Sequence, residues 1–163
     1  VTMAGTSAFD QDLDLRSHNR ETVAKYMDCI KGELRLERHH LFTDDGSAGL
    51  YTTDSGEPII FTGREKLAAH GEWSLKVLPD WEWTDVQVFE TQDPNRFWVE
   101  CGGRGKILFP GYPEAIYENH FIHSFLLSDG RIKEHREFMN PIRQYHALGI
   151  DPPRIKRAGV PAD

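Results

Sequence analysis

The sequence predicts an α+β fold. Helix-period patterns lie mainly between residues 14 and 78, whereas long strand patterns fill residues 81–138, so helices and strands are segregated rather than alternating. Ser128-Asp129-Gly130 marks a hairpin turn between two long strands, because Asp-Gly supplies the positive-φ residues of a type I′ turn. Gly102, Gly103 and Gly105 interrupt another strand pattern, which suggests a bend or bulge that lets a sheet curl. A curved four-stranded antiparallel sheet wrapped over three helices forms a cone, and small-molecule sites favour such concavities.

Residues 1–12 read as a mobile tail and residues 13–163 as one domain with neither repeat nor linker. Asp14 to Ile30 reads as a helix, with Leu15, Val23, Tyr26, Met27 and Ile30 close to one stripe. Glu33 to Phe42 reads as a second, short helix carrying Arg38, His39 and His40. Adjacent histidines on a helix point about 100° apart and make a poor metal pair. Arg38 has two readings, a surface charge or an anion anchor leaning into the cavity. Leu50 to Thr53 and Pro58 to Phe61 suggest a small hairpin.

The next helix is bounded by a capping-box pattern, Thr62 as N-cap with Glu65 three residues on, and by Pro79. Leu67, His70, Ser74, Val77 and Leu78 recur at three- and four-residue steps, so His70 falls on the apolar stripe. It is either a core histidine bonded to Ser74 or a backbone carbonyl, or an acid–base group facing the cavity. Trp81 to Thr91 reads as a strand with one slip or bulge, and Phe97 to Leu108 as another. Pro141 to Leu148 closes the pattern with a short helix.

The hairpin stretch from Tyr117 to Pro141 carries the chemistry. With Asp129 and Gly130 as the turn's centre, simple pairing puts Leu127 opposite Ile132, His123 opposite Arg136 and Phe121 opposite Phe138. The other face then pairs Ser124 with His135 and Ile122 with Glu137. A carboxylate desolvated beside Ile122, Phe138 and Met139 would hold its proton near neutrality. The competing reading is an ion pair of Glu137 with Arg136 or Arg143.

Composition narrows the function classes. A chain of 163 residues, 39% hydrophobic and 28% charged, suits a soluble globular domain. The net charge of −7 argues against nucleic-acid binding. No apolar run reaches membrane-spanning length, and the first residues lack the pattern of a secretory signal. Cys29 and Cys101 lack metal-ligand spacing, so reduced thiols and a cytoplasmic location are expected. No phosphate loop, zinc pair, nucleophile elbow or dinucleotide fingerprint occurs. Neither metal nor cofactor is expected.

The segments SGEPIIFTG, PDWEWTDVQVFETQDPNRFWVECGGRGKILFPGYP, YENHFIHSF, DGRIKEHREFMNPI and ALGIDPPRIKRAGVP resemble the A/B proteins of bacterial phenazine biosynthesis. The resemblance runs from about Leu15 to Pro161. It implies an NTF2-like, ketosteroid-isomerase-like cone, a homodimer, and a cofactor-free protein that helps build the tricyclic phenazine skeleton. The implied substrate is an amino-oxo-cyclohexene carboxylic acid, two copies of which condense head to tail; other enzymes of the pathway are possible partners. The resemblance assigns acid–base roles to Glu137 and His70, and pocket roles to Arg38, Ser74 and Tyr117. Two rival readings are a non-catalytic binding or scaffold module and a ketosteroid-isomerase-like proton transfer, since fold alone does not fix function.

Overall fold

The computed structural model describes residues 8–163, with side chains from residue 12 onward. Helix α1 spans Ala8–Asp28. The expected tail therefore overlaps it: residues 8–12 are helical, and residues 1–7 lie outside the described residues. Two 3-10 turns, Gly32–Leu36 and Arg38–Leu41, take the place of the expected second helix. They are followed by β1 (Phe42–Leu50), β2 (Ile59–Thr62) and α2 (Arg64–Val77). Strands β3 (Glu82–Glu90), β4 (Arg96–Ile107), β5 (Ala115–Ser128) and β6 (Arg131–Met139) come next, and then α3 (Pro141–Ala147).

All six strands join one curved sheet in the order β2-β1-β6-β5-β4-β3. The sheet is mixed, because β1 lies parallel to β6 while every other pair is antiparallel. The sequence expectation of four antiparallel strands missed β1 and β2 as sheet members. Asp44-Asp45-Gly46 reads as a turn, but it sits inside β1, where the pairing with β6 shifts between Phe42 and Ser47. Strand β3 has the expected slip, between Thr84 and Gln87, with Asp85 at φ 49°.

The concave face is apolar. Phe97, Val99 and Cys101 on β4, Phe121 and Phe125 on β5, and Ile132 on β6 are all buried, and Val23, Tyr26 and Met27 of α1 pack with them. The glycines of β4 do not break its pairing, for β4 runs against β5 in continuous register from Arg96 to Ile107. They make room instead. A methyl group on Gly103 would collide with the Trp81 ring and stand 2.8 Å from Phe121, and one on Gly105 would stand 3.0 Å from the Trp81 backbone. Trp81, only 3% exposed, thus lies flat where a side chain would otherwise project.

Helix α2 ends near Pro79 as expected, but the capping box does not form. Its N-cap is Gly63, at φ 90°, and no side chain caps it. Glycine alone tolerates that backbone angle without strain, so Thr62 stays in β2 and pairs with Ser47.

The hairpin register holds the main departure. Ser128 pairs with Arg131 and Leu127 with Ile132, as expected, but Leu126 then pairs with Glu134. Lys133 is the extra residue of a β-bulge. Beyond it every partner moves by one: His123 faces Glu137 rather than Arg136, Phe121 faces Met139 rather than Phe138, and Ile122 faces Phe138 rather than Glu137. The bulge turns His135, Glu137 and Met139 toward the concave face, where plain alternation from Ile132 would have placed Glu134, Arg136 and Phe138.

Two outcomes follow from this packing. Gly103→Ala should cost roughly 1–3 kcal/mol by overpacking Trp81 and Phe121, read as a lower denaturation midpoint. Lys133→Ala should be close to neutral, since Lys133 is exposed, whereas deletion of Lys133 should destabilise the protein severely; equal stability of the two variants would remove the bulge from its controlling place.

Candidate active site

The concave face and the helices enclose one cavity of about 300 Å³, at the lower end of the small-ligand range. Arg38, His70, Ser74, Tyr117 and Glu137 all line it. The five residues come from a 3-10 turn, one helix and two strands, so only the tertiary fold unites them.

Glu137 is held on β6 between Leu50 of β1 and His123 of β5. A quarter of its side chain is exposed, and that quarter faces the cavity. Its nearest charge-capable partner is His123, whose Nδ1 lies 3.9 Å from Oε1. The competing arginine pairing does not occur. Arg136 projects from the opposite face, packs near Trp98, Tyr51 and Phe138, and donates to Ser124 Oγ at 3.2 Å. Burial raises the Glu137 carboxyl from 4.5 to about 7, against the pull of Arg38 toward the carboxylate.

His70 takes neither of the expected bonds. Its ring stacks on Phe61, with centroids 4.1 Å apart, and Trp73 lies 5.8 Å away. No hydrogen bond joins it to Ser74 or to a carbonyl among the described residues. Burial, then the nearby cations Arg38 and Arg35, lowers its pKa from 6.5 to about 4. The usual order is reversed: the carboxyl binds a proton more tightly than the imidazole, so near pH 6 Glu137 is largely protonated and His70 is neutral.

Arg38 is buried, not a surface charge, with 8% of its area exposed. Its guanidinium carbon lies 5.1 Å from the centre of the Tyr26 ring. Among the described residues no carboxylate forms an ion pair with it. An unpaired cation in an apolar cavity is suited to a carboxylate, which it can grip with two hydrogen bonds.

Ser74 is set by a residue that sequence reasoning missed. Arg35, only 1% exposed, donates from Nη1 to the Ser74 carbonyl at 2.9 Å, to Ser74 Oγ at 3.2 Å and to the Leu78 carbonyl at 2.6 Å. Its Nε and Nη2 donate to the Ile30 carbonyl. The Ser74 hydroxyl thus accepts from Arg35 and keeps its own hydrogen for the cavity. The one signal for this clasp is Gly71 in the middle of α2, where a Cβ would stand 2.9 Å from the Arg35 carbonyl.

Tyr117 is 3% exposed, and its oxygen accepts from Asn119 Nδ2 at 2.7 Å. Burial pushes the phenol up to about 12, despite that bond, so it remains a donor at neutral pH. Asn119 in turn holds α3, donating to the Asn140 carbonyl at 2.8 Å. Three further groups beside Glu137 were not singled out from sequence: His123, His135 and Tyr26. His123 Nδ1 and His135 Nε2 stand 2.8 Å apart, and His135 Nδ1 is 3.2 Å from Tyr26 Oη. A fully buried histidine facing another across a hairpin could be found only with the bulge in place.

Among the described residues no helix is long and apolar enough to cross a membrane. Comparison with known proteins supplies the family. A family model described as phenazine biosynthesis protein A/B matches residues 2–162. The chain is 63% identical to phenazine biosynthesis protein PhzB of Pseudomonas fluorescens over 151 residues, 93% of each chain. It is 61% identical to PhzB 2 of Pseudomonas aeruginosa strain UCBPP-PA14 over 153 residues, 94% of each chain. The crystal structure of a phenazine biosynthesis-related protein, phzb2, from Pseudomonas aeruginosa matches with a TM-score of 0.92 at 61% identity, over 95% of this chain and all of that one. A protein of ketosteroid isomerase-like fold from Catenulispora acidiphila matches at 0.66, with 15% identity over 80% of this chain and 94% of that one, a likeness of fold alone. The expected cone is thus the fold, and the chain belongs to the phenazine biosynthesis protein A/B family.

Proposed function

We propose that this protein assists the head-to-tail condensation of two molecules of an amino-oxo-cyclohexene carboxylic acid into a tricyclic phenazine precursor. The observation that carries the reading is the reversed proton order in one cavity, a protonated Glu137 with a neutral His70. The substrate class is the one the resemblance implies, and membership of a phenazine biosynthesis family supports it.

Each half of the condensation forms one C–N bond and breaks one C–O bond. The amine of one molecule adds to the ketone of the other; one of its two N–H protons passes to the ketone oxygen, which becomes a hydroxyl, and the other goes to neutral His70. The hydroxyl so formed leaves as water on taking a proton from Glu137. The product of that half-reaction is an imine, with Glu137 as carboxylate and His70 as imidazolium. The proton then returns downhill, because Glu137 binds it more tightly. Tyr117 and Ser74 offer hydrogens to oxygens of the substrate, and Arg38 holds a carboxylate. Confinement of two molecules in one cavity turns an encounter into an intramolecular step, worth up to about 7–11 kcal/mol in ideal cases.

The ketosteroid-isomerase-like alternative would use Glu137 as a base and therefore needs it ionised. Its raised pKa favours the acid role instead. A pure binding module has no use for a protonated carboxyl and a neutral imidazole in one cavity.

The test supplies the protein, the upstream isomerase and its dihydroxyanthranilate-type substrate, and measures tricycle yield with and without the protein. Yield unchanged by the folded protein would sink the proposal. The enzyme-dependent rate should form a plateau, falling above about pH 7 as Glu137 loses its proton and below about pH 4 as His70 gains one. Glu137→Gln should lower it by roughly 10²-fold or more and remove the alkaline limb. His70→Leu should keep the fold and remove the acid limb.

Glu137→Gln should also change stability in a pH-dependent way. The folded carboxyl titrates near 7 and the unfolded one near 4.5. The folded state therefore binds more protons between those values, and its stability falls as pH rises through them. Glutamine carries no such penalty. The variant should exceed the parent at pH 8 by roughly 1–3 kcal/mol relative to their difference at pH 4, measured by denaturant titration.

A further inference from the structure

A row of three side chains runs from Glu137 into the core. His123 Nδ1 faces Glu137 Oε1 at 3.9 Å and His135 Nε2 at 2.8 Å, and His135 Nδ1 faces Tyr26 Oη at 3.2 Å. His123 is 0% exposed, His135 4% and Tyr26 5%. The two imidazoles stack with centroids 5.1 Å apart and planes 16° from parallel.

The contact between the imidazoles holds one hydrogen, not two, so the row has a direction. In one sense Tyr26 donates to His135 Nδ1, His135 Nε2–H donates to His123 Nδ1, and His123 carries its hydrogen on Nε2. In the other sense every donor is reversed: His123 Nδ1–H donates to His135, and His135 Nδ1–H donates to Tyr26. One fact favours the first sense: among the described residues the second leaves the Tyr26 hydroxyl hydrogen, buried with His135 as its partner, without an acceptor. At the far end His123 Nε2 and the Nε1–H of Trp83 are both buried without an oxygen or nitrogen partner among the described residues, their rings edge-to-face at 4.7 Å, so the choice of direction rests on Tyr26.

Resting on the acid role given above to Glu137, we infer that Tyr26, His135 and His123 are positioning residues: they fix the direction of the row so that Glu137 faces an imidazole nitrogen bearing no hydrogen. A carboxylate at this position then meets the electron-rich Nδ1 of His123 at 3.9 Å, whereas in the reversed row it would stand beside a polarised Nδ1–H engaged by His135; the protonated carboxyl is less sensitive to either. Burial keeps both imidazoles neutral, which supports this arrangement. The other ionisable groups of this wall act as follows. Arg38, from the 3-10 turn, pulls Glu137 toward the carboxylate. His70 from α2 is neutral. Tyr117 of β5, Cys101 of β4 and Tyr26 of α1 are held protonated by burial, and Cys29 at the end of α1 is raised in the same direction. The row therefore opposes the pull of Arg38 on Glu137.

The first test uses the unaltered protein labelled with ¹⁵N-histidine, with long-range ¹H–¹⁵N spectra between pH 6 and 8. Both His123 and His135 should appear as neutral Nε2–H tautomers. An Nδ1–H tautomer at His123 would overturn the inference. The second uses Tyr26→Phe, which keeps the ring packed edge-on against Phe42 and Phe125 and removes only the hydroxyl that sets the direction. Its alkaline limb should move down by about one pH unit. A folded Tyr26→Phe protein with an unshifted limb would also overturn it. Loss of the proposed function is distinguishable: Glu137→Gln with full activity would remove the acid role, while the tautomers still report the direction of the row.

Discussion

A single unpaired residue decides which side chains reach the cavity. Lys133 bulges from β6, and from that point the strand presents the opposite parity to the concave face. Without it the cavity wall would carry Glu134 and Arg136, and Glu137 would look out with Ser124 and Ile122. With it, Glu137 stands beside His123, and His135 reaches Tyr26. The parallel pairing of β1 adjusts at the corresponding place, between Phe42 and Ser47. Both pairings of β6 are therefore irregular at the same place, and the sheet rather than a loop positions Glu137.

The cavity then uses burial to sort protons. Desolvation moves a carboxyl and an imidazole in opposite directions, because it penalises whichever form is charged. Glu137 rises and His70 falls by the same physical cause. Arg38 reinforces the effect on His70 and opposes it on Glu137, so its distance from the two groups matters. A closer guanidinium would ionise Glu137 and remove the proton that the proposed acid role needs.

Much of this was legible in the chain. The α+β class, the Asp129-Gly130 turn and the His70 stripe follow from local patterns, and Glu137, His70, Arg38, Ser74 and Tyr117 do line one cavity. The bulge was not legible, because no residue type demands it: Lys133 is neither glycine nor proline, and the extra residue shows only against a partner strand. Without the correct register, His123 and His135 looked like members of opposite faces. The second helix failed for another reason. Its residues obey helical spacing loosely, but Arg35 and Arg38, in successive 3-10 turns, turn to different tasks. A tertiary clasp on α2, not local propensity, sets their path. The β4 glycines suggest a bend or bulge, and the sheet is curved; what no pattern within the strand encodes is that Gly103 and Gly105 make room for Trp81 and Gly102 for Thr84.

That clasp has an electrostatic consequence. Arg35 is bonded by the carbonyls of Ile30, Ser74 and Leu78, which lie at or just past the ends of α1 and α2, where helix dipoles favour a cation. It thus needs no carboxylate, and its charge, with that of Arg38, remains uncancelled beside the cavity. The protein as a whole bears a net charge of −7. An anionic substrate therefore meets repulsion at long range and attraction once inside. Dissolved salt screens the first over about 8–10 Å and scarcely touches the buried second. Capture of the substrate should gain from moderate ionic strength, the reverse of enzymes that steer anions with a basic surface.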